Sequence, residues 1–218
     1  MNLICFPHYT CGGLLCDILN GTFSEIAPNG GIASISHGLG KIGDSDTVMI
    51  DYDQETFINM IENLKLQYTN EWIGTHCWPG RLDLAVAEQV VVVTTTTFRS
   101  KLYRWIRAYH HYYLKSDPWI TVTGQQRIDK ERETAKNYLI AFDPVFQPNA
   151  VNIEFAEVVE NSAEFQNLTA HNDIGQHLDR WRKINSFLYD PNIWSSTAFQ
   201  RFYEAESETC LNKYYVYQ

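Results

Sequence analysis

Apolar residues fall in short blocks separated by Gly, Pro and polar turns, and the period inside each block sets the element it predicts. Leu3-Ile4-Cys5-Phe6 is an apolar run that ends at Pro7, which predicts a buried strand. HYTCGG and then LLCDILN follow, a tight glycine loop and a helix, with Gly21 as the C-cap. Ile32-Ala33-Ser34-Ile35-Ser36 predicts a second short strand before the glycine-rich loop HGLGKIGDSD. Asp53 is placed to cap a helix that runs to about Leu66, with Phe57, Ile58, Ile61 and Leu64 on one face. Residues 71–76 predict a strand that stops before Pro79-Gly80. Residues 89–95 are β-branched almost throughout, as expected of a strand covered on both faces.

A helix is predicted over about 99–114, breaking near Asp117-Pro118, and another over 124–141 with Thr123 as its cap. Residues 151–156 read as a strand, and 161–169, 173–188 and 195–206 as helical. Strands alternating with helices predict an α/β fold, a three-layer sandwich around a mostly parallel sheet. At roughly 150 residues per domain, the 218 residues read as a single domain. In such sheets the ligand lies beyond the carboxyl ends of the strands. Three loops leave those ends: after Phe6, around His76 and after Thr94.

Composition narrows the function classes. Seventeen Lys and Arg against 26 Asp and Glu give a net charge of −9. General nucleic-acid binding runs on phosphate neutralisation, so no nucleic-acid partner is expected. No apolar run approaches the roughly 18 residues of a membrane span, and the opening MNLICFPHYT lacks a basic n-region. These features predict a cytoplasmic protein with no membrane partner. The five cysteines, Cys5, Cys11, Cys16, Cys77 and Cys210, form no CxxC pair and no zinc spacing, so they read as reduced thiols. The two matches to the glycosylation sequon, at Asn20 and Asn167, are taken as chance.

Three segments carry candidate chemistry. Pro7-His8-Tyr9-Thr10-Cys11-Gly12-Gly13 is a turn between a strand and a helix, where backbone N–H groups and the helix dipole bind phosphate or sulfate. A tight turn alone accounts for the glycines equally well. Thr75-His76-Cys77-Trp78-Pro79 sets a histidine at a strand end, suited to general base work or to a satisfied core position. The third is the helix opening at Arg99-Ser100-Lys101. Arg99, Lys101, Arg104, Arg107 and Lys115 fall in one stretch with no acid among them. Ser100, Arg104, Arg107 and His111 share one face, which is either an anion site or a solvated basic surface.

The order of these segments resembles the P-loop sulfotransferases. In that family the first loop reads P-K-S-G-T-T, and residues 7–13 stand in its place. The second motif reads K-T-H-L-P, and Gly74-Thr75-His76-Cys77-Trp78-Pro79 is similar to it. The third is a strand leading to an Arg and a Ser, here VVVVTTTT leading to Arg99 and Ser100. VNIEFAEVVENSAEF and HLDRWRKINSFLY resemble the family's later strand and helices. The resemblance implies a P-loop NTPase-like fold and transfer of a sulfuryl group from 3′-phosphoadenosine 5′-phosphosulfate (PAPS) to a hydroxyl or amine of a small-molecule or glycan acceptor, without a metal.

His76 inherits the base role in this reading. His8 takes the place of the family's P-loop Lys, with Lys41 or Arg99 as further sources of positive charge. Pro7, His8, Tyr9, Thr10, Cys11, Gly12, Gly13, Arg99, Ser100 and Arg104 would hold the donor. Arg99 and Ser100 are adjacent here and separated in the family. Two other readings stand beside this one. One is a non-catalytic anion- or glycan-binding module, to which the 6 Trp and 13 Tyr would contribute. The other is a divergent nucleotide-kinase-like phosphotransferase.

Overall fold

A computed structural model describes residues 1–20, 53–66, 72–110, 124–170, 186 and 197–215. The chain divides into two compact units, residues 1–96 with 142–181 and residues 97–141 with 182–218. The expected strand at 32–36, the loop carrying Lys41, the caps at Gly21 and Thr123, and the expected helix at 173–188 apart from Ser186 lie outside the described residues.

The first unit is a mixed α/β structure built on a four-stranded parallel sheet. Its strands are β1 (Asn2–Cys5), β2 (Trp72–Thr75), β3 (Val90–Thr94) and β4 (Ala150–Glu154), in the order β2-β1-β3-β4. Leu3 lies opposite Ile73 on one side and Val90 on the other, and Val90 lies opposite Ala150. From β1 the chain first pairs on one flank and then returns to pair on the other. The loop after β1 therefore leaves the sheet where the direction of winding reverses, which is where open α/β sheets take their ligands.

Between β1 and β2 the described residues form α1 (Gly12–Asn20) and α2 (Gln54–Lys65). Leu3, Cys5, Ile73, Val90 and Val92 face one core with Phe57 and Ile61 of α2. The opposite face meets α1, since a side chain added at Gly74 would come within 3.0 Å of Cys16 Sγ. Both faces being covered explains why the Val90-Val91-Val92-Val93 run is buried throughout. Asp53 caps α2 as expected, its Oδ1 accepting from Thr56 N–H at 2.8 Å.

The expected strand over 151–156 ends two residues early. Glu154 closes β4, and Glu157 reaches back to accept the Glu154 N–H at 2.9 Å, which starts a helix at Phe155. This helix, α5 (Phe155–Glu160), ends at Asn161 in a left-handed conformation with φ 54°, so the expected helix over 161–169 begins later, at α6 (Ala163–Leu168), behind the Ser162 cap.

The second unit is helical. It contains α3 (Phe98–Tyr109), α4 (Gly124–Leu139) and α7 (Thr197–Tyr215). Thr97 caps α3, its hydroxyl accepting from Ser100 N–H at 3.2 Å. Leu102, Trp105, Ile106, Ala135, Tyr138, Ala198 and Phe202 are buried, and Trp105 Nε1 donates to the Ala198 carbonyl at 2.7 Å. Arg127 and Arg201 bind the two carboxylate oxygens of buried Glu131 at 2.8 and 3.3 Å, and Tyr109 donates to it at 3.4 Å. One carboxylate thus joins residues of all three helices. Burial, followed by the charge on Glu131, pushes the Tyr109 phenol above its ordinary value.

Candidate functional site at the carboxyl edge of the sheet

The register brings the chain segments after β1 and β2 side by side. Cys5 pairs with Thr75, so Phe6-Pro7-His8 and His76-Cys77 leave adjacent parallel strands at the same level. The imidazole rings of His8 and His76 stack, with centroids 3.8 Å apart. Beneath them the Phe6 ring meets His76 edge-on at 4.4 Å. His76 is buried, with only 6% of its surface exposed, while His8 is half-buried.

His76 Nδ1 lies 2.9 Å from the Phe6 carbonyl oxygen. A carbonyl can only accept, so Nδ1 carries the hydrogen and donates it. In the neutral ring this assigns the lone pair to Nε2. A backbone carbonyl thereby selects the tautomer of the side chain expected to act as a base.

The turn between β1 and α1 is tightly folded. Thr10 is buried and donates its hydroxyl to the Pro7 carbonyl at 2.6 Å. Tyr9 and Cys11 take left-handed conformations, φ 68° and 60°, which side chains other than glycine rarely adopt. Gly12 opens α1, and a side chain there would overlap the Phe6 ring. Gly74, across the strand pair, is also covered by that ring, with an added Cβ 2.8 Å from Phe6 Cε1. Packing of Phe6 thus explains the first glycine of the loop. Gly13 follows it, half-buried in the first turn of α1.

The other strand ends add polar groups. At the end of β4, Glu154 accepts from Thr94 Oγ1 and Thr96 N–H, each at 3.0 Å, and from the Thr96 hydroxyl. Thr95 is buried and exchanges two hydrogen bonds with the Phe142 backbone. Glu154 and these threonines are edge groups that sequence reasoning passes over. The pairing of Thr94 with Glu154 is a matter of register, which the sequence does not display.

Arg99, Ser100 and Arg104 belong to the helical unit. Arg99 is exposed. Ser100 is buried and bonded to the Thr97 cap, and the Arg104 guanidinium lies over the Tyr138 ring at 5.0 Å. Lys41 lies outside the described residues. A recess of about 700 Å³ in the sheet unit lies at the opposite, amino ends of the strands, lined by Leu19, Trp72, Gln89, Val91, Asn149 and Leu168 among others. Among the described residues no group of three or more His, Cys, Asp or Glu could hold a metal ion, and no helix is long and apolar enough to cross a membrane.

No protein-family model matches the chain, and no curated protein or solved structure matches it.

Proposed function

We propose that the chain is a sulfotransferase-like protein with a P-loop-type fold, which transfers a sulfuryl group from PAPS to a hydroxyl or amine acceptor. The observation that carries this reading is the stack of His8 on His76 beside the turn into α1, with the His76 tautomer set by the Phe6 carbonyl. His76 Nε2 takes the proton of the acceptor as its oxygen or nitrogen bonds to sulfur. The bond from sulfur to the bridging phosphate oxygen breaks, and adenosine 3′,5′-bisphosphate leaves. His8, standing where the family carries Lys, supplies positive charge to that oxygen as an imidazolium. Transfer of this kind rests on positioning and electrostatics. One ring must be neutral and the other charged, so turnover falls on both the acid and the alkaline side of its optimum.

Burial of His76 and the packing reason for Gly12 favour a second reading, an anion- or glycan-binding module on the same fold in which the imidazole only fastens β2 to β1. Two measurements separate the readings. Adenosine 3′,5′-bisphosphate should raise the melting temperature above the effect of ATP, ADP or sulfate. At 100 times its Kd a ligand adds about 2.7 kcal/mol. His76→Ala should then lower sulfuryl transfer by roughly 10²–10⁴-fold with bisphosphate affinity retained. Preference for ATP would point to phosphoryl transfer, and indifference to every nucleotide would remove both enzyme readings.

A further inference from the structure

Next to Phe6 and His76 in the chain, in the core that packs on α2, lie two thiols. Cys5 closes β1 and Cys77 follows His76, and their Sγ atoms are 4.0 Å apart with both residues 0% exposed. Among the described residues, the buried thiol of Cys16 also acts on Cys5. Near neighbours of the pair are Thr75, whose hydroxyl accepts the Cys77 N–H at 3.3 Å, and the apolar side chains Leu3, Ile73 and Phe57 of the core beneath the sheet.

The pair is asymmetric. Hydrogen bonding from Cys5 first, and from Thr75 after it, holds the Cys77 thiol below its ordinary value against the upward push of burial. The same thiol–thiol bond, with burial added, raises Cys5. Thr75 adds its bond on the Cys77 side of the pair, which favours Cys77 as the sulfur that gives up its proton first.

We propose that Cys5 and Cys77 are a reversible redox site, which a small hydroperoxide closes into a Cys5–Cys77 disulfide. With a hydroperoxide, the Cys77 thiolate attacks the terminal oxygen and the O–O bond breaks. The alcohol or water leaves with a proton, and Cys77 becomes a sulfenic acid. Cys5 then attacks the Cys77 sulfur, the S–O bond breaks, and water leaves with the Cys5 proton. Two electrons have passed from the thiol pair to the peroxide. A dithiol reductant reverses the step by exchange.

Closure shortens the sulfur separation from 4.0 Å to about 2 Å. The two sulfurs belong to the residues immediately beside Phe6 and His76, the two partners of the tautomer-setting bond. The disulfide thus draws on both ends of that bond and shifts the face His76 presents to His8. That closure alters turnover rests on the function proposed above. The bond itself does not, so the two fail separately.

The test is peptide mapping of the purified full chain after graded hydrogen peroxide and, in parallel, diamide. The expected result is a loss of two titratable thiols per chain and a cross-linked peptide pair containing Cys5 and Cys77. Both should be reversed by dithiothreitol and retained in Cys11→Ser and Cys16→Ser. The His76 imidazole resonances should shift on closure and return on reduction. Cys77→Ser and the milder Cys77→Ala should each abolish the link. Cross-links confined to other cysteines, or over-oxidation of Cys77 without a link, would overturn the proposal. So would thiols that stay inert until the chain unfolds, because the pair would then be a sealed packing contact.

Discussion

In the sheet unit, buried polar side chains bond mainly to the backbone: His76 to the Phe6 carbonyl, Thr10 to the Pro7 carbonyl, Thr95 to Phe142. In the helical unit the buried Glu131 and Arg201, and the partly exposed charged side chains around them, bond mainly to one another. Glu131 takes Arg127 and Arg201, Glu204 takes Arg132 and Arg201, and Glu208 takes Arg132 and Lys136. A bond to the backbone fixes a side chain to the path of the chain, and so holds a reactive group where the strand places it. A network of side chains holds helices together without committing any one atom to a place. The first arrangement suits a site, and the second suits a scaffold.

The largest effect should come from breaking the scaffold. Glu131→Gln takes the buried charge from between Arg127 and Arg201, and leaves Arg201, 10% exposed, with Glu204 as its remaining carboxylate partner. The expected loss is about 3–5 kcal/mol in denaturant unfolding. The double variant Glu131→Leu with Arg201→Met should recover most of it. Equal losses in the single and double variants would mean that the network is not the source.

Next comes the sheet unit, where Gly12→Ala should cost about 1–3 kcal/mol by forcing the Phe6 ring aside. Adding Phe6→Leu should return part of that loss. An unchanged Gly12→Ala protein would mean that the Phe6 ring has room to move and that the loop needs its glycine for another reason. Thr97→Ala, which removes the α3 cap, should cost about 1 kcal/mol.

The smallest effect is a change of shape with pH. Bonds from the Thr56 backbone and hydroxyl hold the Asp53 carboxyl below its usual value of 3.8. A lowered carboxylate contributes stability that is present above its unfolded value and lost as pH falls through the folded one. Asp53→Asn keeps an α2 cap but does not titrate. Its melting curve should match the parent at neutral pH and fall less steeply in acid. Parallel acid limbs in the two proteins would remove Asp53 as a contributor.

Periodicity and turn chemistry made β1, β2, β3 and α1 to α4 legible, because each is a local pattern, whereas α5 is hidden in the expected strand 151–156 and α7 runs past its expected end near 206 to Tyr215. The end of β4 was misplaced because Phe155-Ala156 extends the apolar run. The Glu157 that starts the helix acts through a backbone bond, although its spacing from Glu154 was there to be read. Convergence of the loops after Phe6 and around His76 followed from the parallel sheet. The ring stack and the selected tautomer did not, since they depend on rotamers. The thiol pair was hidden for a related reason. Cys5 and Cys77 share no motif, and only the register of β1 on β2 brings them together. The basic stretch was visible as charge, but Ser100 is used to start α3, which periodicity alone cannot separate from a ligand role.

The strand order has a consequence for how the chain is made. β1 lies inside the sheet, yet Ile4 pairs with Gly74 and Val91, and Val91 pairs with Val151. Every rung of the sheet joins residues distant in sequence, so none can form as a local hairpin. A ribosome adding roughly 5–20 residues per second keeps β1 waiting for several seconds before its first partner emerges, and β3 for as long again before β4. Through that interval the nascent chain carries Leu3-Ile4-Cys5-Phe6 and later the valine run as unpaired β-forming tracts. Synthesis rate and chaperone supply, more than the stability of the finished sheet, would then govern how much protein reaches the folded state.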